Sequence, residues 1–350
     1  MNLLFLCAPL SGYFHNCIRT LADALPGARI AVVAVPNTAT APFVFPEHPR
    51  ITVQRRAGLT DLELVAFAAK LDPAYIFLAG WRDPAYRRIG RRFKPRIPVV
   101  MGMDNQWKYR ARQYLLSKVL APWIRTFCSY IWIPGLPQYE YARRLGFVPS
   151  QIMTGLYSAD TRKLLATNAR AGREGTVKSL LFVGNMWRDK GVVELVDVFT
   201  ELAKHFPDWS LVLAGDGPLV ETYTGVSNRI TVTGFIQPDA LASHLEAAAA
   251  FCLPSYHDAW AVVIHEAACL GLPIVATDVC GAVSAFVHEG FNGFLCRPRD
   301  KASLKSALHK LMSLPPGVRH EFGQRSLQLA RQITPDLWAS KVCMLLSQRT

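Results

Sequence analysis

The 350-residue chain is short of most signals that would settle its class at once. It has no run of about 18 uncharged apolar residues, so no membrane-crossing helix is expected. The longest near-candidate, Ser129 to Pro137, is too short and ends at prolines. The opening MNLLFLCAPLSG has no basic leader, and its apolar run is too brief for a secretory signal. It reads instead as a buried first strand. The eight cysteines stand singly, with no Cys-x-x-Cys pair, and most lie within apolar runs. Buried reduced thiols are expected rather than disulfides or zinc ligands, and with them a soluble, cytoplasmic protein. Cys7–Asn16 offers no Gly-x-Gly-x-x-Gly after the first strand, which counts against an NAD-dependent oxidoreductase. Acids are scarce: 26 Asp and Glu stand against 39 Lys and Arg, a formal charge of +13.

Hydrophobic residues make up 51% of the chain and charged residues 19%, which excludes disorder and predicts large cores. The length fits two domains. The charge is uneven. Residues 1–160 hold 20 bases and 9 acids, whereas residues 161–350 hold 19 and 17. Within the first half, residues 82–125 carry 12 bases against Asp83 and Asp104, which is +10 of the total.

Short, continuous apolar runs recur at Asn2–Ala8, Ile30–Val35, Tyr75–Ala79 and Ile97–Met101. A second series follows at Ser179–Val183, Ser210–Ala214, Ile230–Gly234, Ala250–Leu253 and Pro273–Ala276. Helix-length segments separate them, the pattern of parallel strands covered by helices on both faces. The polar stretch Thr161–Lys178 between the series reads as the linker. The expected fold is α/β, two Rossmann-like doubly wound domains facing across a cleft. They span residues 1–160 and 175–334, with a last helix at 335–350 packed either back on the first domain or on the second. Ligands of such sheets bind at the carboxyl ends of the strands.

The stretch richest in chemistry is PSYHDAWAVVIHEAACLGLPIV, from Pro254 to Val275. Asp258 stands before a helix expected over about Ala261 to Leu270, and Glu266 sits inside it eight residues later. A carboxylate among Val, Ile, Ala, Cys and Leu is costly without a partner. Ribose hydroxyls would serve, as would an arginine or a backbone amide. The N–H groups near Ala259–Val262 can hold a phosphate at the helix start. Asp258 is either a site residue or a plain N-cap. Asp239, before the segment Ala240–Ala249, reads as another cap.

This segment resembles the acid-(seven residues)-Glu signature of retaining, nucleotide-sugar-dependent glycosyltransferases of family 4, which have the GT-B fold. VGNMWRDKG resembles their phosphate-contacting loop, LVLAGDGP their next strand and turn, and ITVTGFIQPDAL their donor-side Gly-Phe segment. GFNGFLCRPRD resembles the turn after their last donor-domain strand, so the likeness covers roughly residues 178–300. It implies a nucleoside-diphosphate sugar as co-substrate, no cofactor and no divalent metal, with retention at the anomeric carbon. By residue, it implies that Glu266 binds the ribose and Lys190 neutralises the diphosphate. Asp258 stands beside the transferred sugar, where the family usually has Glu. Asn185 replaces an expected arginine, for which Arg188 substitutes; the bland alternative for Arg188 and Lys190 is a solvated loop. Gly217, Phe235 and Val262 fall on donor-side segments, and Ala261 stands where Gly is common.

In the first half, Gly12 after the first strand is expected to face the donor phosphates and acceptor, or else to make an ordinary turn. Asp104 ends a strand where relatives place a His-Asp pair. It either bonds the donor sugar or accepts the acceptor's proton. His15 reads as structural, and His257 as a sugar contact or plain loop packing. No Asp-x-Asp metal motif occurs. The alternatives are a GT-B sugar-nucleotide epimerase and a non-catalytic nucleotide-sugar-binding relative. The basic stretch has no helix-turn-helix, RNA-recognition or zinc pattern, so no nucleic-acid partner is expected. Gln106–Trp132 mixes bases with Trp, Tyr and Leu, as a helix at an anionic lipid surface does; a solvated basic face is the alternative. The expectation is a glycan or lipid-linked acceptor and peripheral contact with the inner face of an anionic membrane.

Overall fold

A computed structural model describes residues 1–35, 45–168 and 178–348, with the side chains of 167, 168, 238 and 239 left undescribed. Two compact units divide the chain. The first comprises Met1–Ser158 with Ile333–Thr350, and the second comprises Ala159–Gln332.

In the first unit the elements run β1 (Asn2–Cys7), α1 (Gly12–Ala24), β2 (Arg29–Ala34), β3 (Ile51–Arg55), α2 (Asp61–Leu71), β4 (Tyr75–Ala79), α3 (Pro84–Phe93), β5 (Val99–Gly102), α4 (Ala111–Ile124), β6 (Tyr130–Trp132), α5 (Leu136–Arg144) and β7 (Ile152–Met153). The strands form one sheet in the order β3-β2-β1-β4-β5-β6-β7, and every pairing is parallel. Leu3, Leu4, Phe5 and Leu6 are all fully buried, because helices cover both faces of the sheet. The run Ser129–Pro137 holds β6, which pairs with β5 on one side and β7 on the other.

The second unit begins with α6 (Thr161–Asn168). It continues β8 (Lys178–Val183), α7 (Val192–Leu202), β9 (Trp209–Ala214), α8 (Val220–Tyr223), β10 (Ile230–Gly234), α9 (Pro238–Ala247), β11 (Ala250–Leu253), α10 (Val262–Cys269), β12 (Ile274–Thr277), α11 (Val283–Phe286), β13 (Gly293–Cys296), α12 (Lys301–Met312) and α13 (Pro316–Ala330). Its sheet has the order β10-β9-β8-β11-β12-β13, again all parallel. Thr161–Lys178 is therefore not wholly linker. Its first eight residues fold as α6, capped by Asp160, whose Oδ1 accepts from the Lys163 N–H at 3.2 Å, and α6 packs within the second unit. The rest of that stretch, 169–177, and the side chain of Asp239 lie outside what is described.

The last helix, α14 (Pro335–Ser347), lies in the first unit against α1. Trp338 anchors it. Its ring stacks on Trp132 at 4.6 Å, and its indole N–H donates to the Leu156 carbonyl at 3.0 Å. The eight cysteines are all free, and seven are buried. Among the described residues no helix is long and apolar enough to cross a membrane.

Candidate active site

The loop after β8 is built by close backbone contacts. A Cβ on Gly215, at φ +153°, would lie 1.8 Å from the Gly184 carbonyl oxygen, so only glycine fits there. The Met186 N–H donates to the Asp216 carbonyl at 2.8 Å, and the Leu219 N–H donates to the Met186 carbonyl at 3.1 Å. Gly217 belongs to the same turn, with Asp216 Oδ1 accepting from its N–H at 2.8 Å. That turn opens only a four-residue helix, α8. Asn185 and Arg188 are exposed. Arg188–Lys190 makes one 3-10 turn that ends at Gly191, at φ +72°. A Cβ on Gly191 would lie 2.1 Å from the Pro254 carbonyl oxygen, so this loop rests directly on the end of β11.

That approach brings two of the sequence-read residues together. Lys190 Nζ stands 2.7 Å from Asp258 Oδ2, with the two side chains 22% and 20% exposed. The other Asp258 oxygen accepts from the Trp260 N–H at 3.2 Å. Asp258 is not the cap of α10, because Ala261 holds that position. Ala261 has a left-handed φ of +67°. A helix start does not absorb this freely: the conformation favours glycine and costs an alanine about 1–2 kcal/mol. Val262 opens the helix, and the Ile264 N–H already donates to the Ala261 carbonyl at 3.1 Å.

Glu266 lies half-buried in α10, and among the described residues it has neither a hydrogen-bond nor an ion-pair partner. Among the described residues there is no arginine or backbone amide bonded to it. Burial, and secondarily the negative charge of Asp160, push its carboxyl up to about 7. Next to it, His265 is fully buried and bonded on both nitrogens. Nδ1 accepts from the Ala159 N–H at 3.1 Å and Nε2 donates to the Ala330 carbonyl at 2.8 Å, while its ring stacks on Phe286 at 4.1 Å. Burial lowers its pKa to about 4, so it stays neutral. Phe235 follows Gly234, at φ +72°, at the end of β10 and is half-buried. His257 is exposed.

In the first unit Gly12 is the first residue of α1, after β1. Asp104 follows β5, so both stand beyond carboxyl ends of that sheet's strands. The Asp104 carboxylate accepts from the Tyr157 hydroxyl at 3.2 Å, and its carbonyl accepts from Gln138 Nε2 at 3.1 Å. Burial, with the Asp104 charge second, holds the Tyr157 phenol well above its usual range. His15 is buried against Phe45 at 4.9 Å, and its pKa falls to about 4 through burial and nearby Arg19, as suits a structural residue. Sequence reasoning missed Asp160, Glu194, Tyr256 and Tyr157, whose roles depend on neighbours brought in by the fold. Among the described residues no three His, Cys, Asp or Glu side chains converge as a metal site.

Known proteins resemble the chain at the level of family and fold. The family profile "Glycosyl transferases group 1" matches residues 177–313. An uncharacterized glycosyltransferase of Haemophilus influenzae is 31% identical over 161 residues, 45% of this chain and 45% of that protein. The chain thus spans less than half the length of that curated relative. Among solved structures, a sucrose-phosphate synthase from Thermosynechococcus elongatus superposes with a TM-score of 0.72 at 19% identity, covering 99% of each chain. HepE of Anabaena, solved with UDP and glucose, also gives 0.72, at 18% identity and 99% coverage of each chain. Residues 177–313 thus match the group 1 glycosyltransferases, on a chain of two parallel-sheet Rossmann-like units with the GT-B fold.

Proposed function

We propose that the protein transfers a sugar from a nucleoside diphosphate to an acceptor hydroxyl, with retention of anomeric configuration. The observation that carries this reading is the pairing of Lys190 with Asp258 at 2.7 Å, eight residues before the unpartnered carboxyl of Glu266. Glu266 accepts the ribose hydroxyls, which supply the partners that its buried surroundings lack. Lys190, with Arg188 beside it and the amides at the start of α10, stabilises the diphosphate as it leaves. Asp258, freed as the phosphates draw Lys190, contacts the sugar. The HepE structure, which holds UDP and glucose, supports such a donor here. Asn185, Gly217, Phe235 and Ala261 line the donor side, while Gly12 and Asp104 serve the first unit's part of the reaction.

Divalent metal takes no part in this scheme, since cationic side chains and helix amides hold the diphosphate. Turnover should persist in excess EDTA; activity lost on chelation and restored by Mn²⁺ would overturn that element.

The acceptor belongs to an anionic membrane surface, to which the protein binds peripherally from the cytoplasmic side. Support comes from α4, where Leu115 and Val119 are 68% and 70% exposed on a helix that also carries the exposed bases Arg112 and Lys118, with Lys108 and Arg110 exposed just before it. Apolar side chains flanked by cations suit the boundary between headgroups and acyl chains.

A further inference from the structure

More links join the loop after β8 to the loop after β11 than one ion pair requires. Beyond Lys190 and Asp258, the Tyr256 hydroxyl donates to Glu194 Oε1 at 2.6 Å, and the Tyr256 N–H donates to the Asp189 carbonyl at 2.7 Å. The Arg299 guanidinium lies 4.8 Å from the centre of the Tyr256 ring. Tyr256 precedes Asp258 by two residues. Glu194 follows Lys190 by four, about one turn of helix. The side-chain links therefore run in parallel between the same two segments.

We propose that Tyr256 and Glu194 form a positioning latch that keeps Lys190 and Asp258 in register while the donor diphosphate occupies Lys190. This rests on the reading of Lys190 and Asp258 as the diphosphate and sugar contacts. A diphosphate competes with Asp258 for the single ammonium of Lys190, so the ion pair cannot both hold the loops together and release its lysine. The Tyr256–Glu194 bond involves neither group and persists through that exchange. Its phenol stays protonated, since burial and the Glu194 carboxylate push it up to about 12.

The latch is also poorly designed for stability alone. Among the described residues Glu194 Oε2 is buried without a hydrogen-bond partner, and Arg299 holds a left-handed φ of +61°. Each feature costs free energy, and such costs cluster at functional sites.

The test uses the full chain with UDP-, GDP-, ADP- and dTDP-glucose, continuing with the donor that the wild type turns over fastest. Tyr256→Phe and Glu194→Ala should each lower kcat roughly ten- to hundredfold, the scale of a small misplacement of reacting groups. The Kd of the matching nucleoside diphosphate should rise by only a few fold, well short of the loss in kcat, because the ribose contact at Glu266 is untouched. Glu194→Gln, whose amide oxygen still accepts from the phenol, should restore most of the rate. The double variant should be no slower than its slower parent. Variants as fast as the wild type, additive losses, or equal losses in kcat and Kd with a lowered melting temperature would each refute the latch. If the wild type turns over no donor at all, the underlying reading falls and the latch falls with it.

Discussion

Glu266 shows what one residue must supply. Its surroundings disfavour a charge, yet no donor among the described residues compensates. The sign of the consequence follows from its titration, at about 7 in the fold against 4.5 for a free glutamate carboxyl. Below pH 4.5 both states are protonated and nothing is lost. Between 4.5 and 7 the unfolded chain ionises while the fold keeps its proton, so stability falls as pH rises; above 7 the whole loss is in place. Glu266→Gln removes it. That variant should be more stable than the wild type by roughly 1–3 kcal/mol at pH 8 and equal to it near pH 4. Denaturant melts at the two pH values decide the matter, and a difference independent of pH would contradict it. The Lys190–Asp258 pair has another character: partly exposed, it adds little stability and is free to exchange its partner for phosphate.

Among the elements, α4 departs furthest from an ordinary surface helix. Ser117 and Ile124 face inward and are buried. At 100° per residue, Leu115 and Val119 share the outward side, with Lys118 on one flank and Arg112 on the other. Bases and apolar groups are thus mixed on one face. By contrast, part of the charge on α3 is engaged within the fold: Arg87 donates to the Trp81 and Arg82 carbonyls at 2.8 Å and lies over Trp123, and Arg88 stands 3.7 Å from Asp61. If α4 meets lipid, the wild type should float with vesicles containing anionic phospholipid. Replacing Leu115 and Val119 together by Glu should release most of the protein, with no change in melting temperature beyond about 2 °C for such exposed sites. Flotation equal to that of the wild type would remove α4 from the account.

At the scale of the molecule, the architecture was legible because parallel strands buried on both faces leave uninterrupted apolar runs. The missed strands had weaker signals. The polar run of β3, with Thr52, Gln54 and Arg55, forms an edge of its sheet, β7 has only two residues, and Gly293–Cys296, inside the stretch read as a turn after the last strand, is itself the edge strand β13. β6 was hidden in a run noticed for its hydropathy alone. Of the candidate site, spacing and motif single out Lys190, Asp258 and Glu266, and the fold pairs the first two. The site was not legible where a partner arrives through tertiary structure, as Tyr256 does for Glu194, Tyr157 for Asp104 and Asp160 for Glu266. The strained φ of Ala261 was also hidden, because sequence position alone does not disclose a left-handed residue. The near-neutral half carries the donor-side motifs, and the +10 segment lies in the other half.

The central claim is that α10 holds a nucleotide through Glu266. Calorimetric titration of the wild type and Glu266→Ala with UDP, GDP, ADP and dTDP tests it most directly. One nucleotide should bind the wild type, and its affinity should fall by about tenfold or more in Glu266→Ala, as loss of hydrogen bonds to a charged group implies. Equal affinity in the two proteins, or no binding by the wild type, would contradict the account.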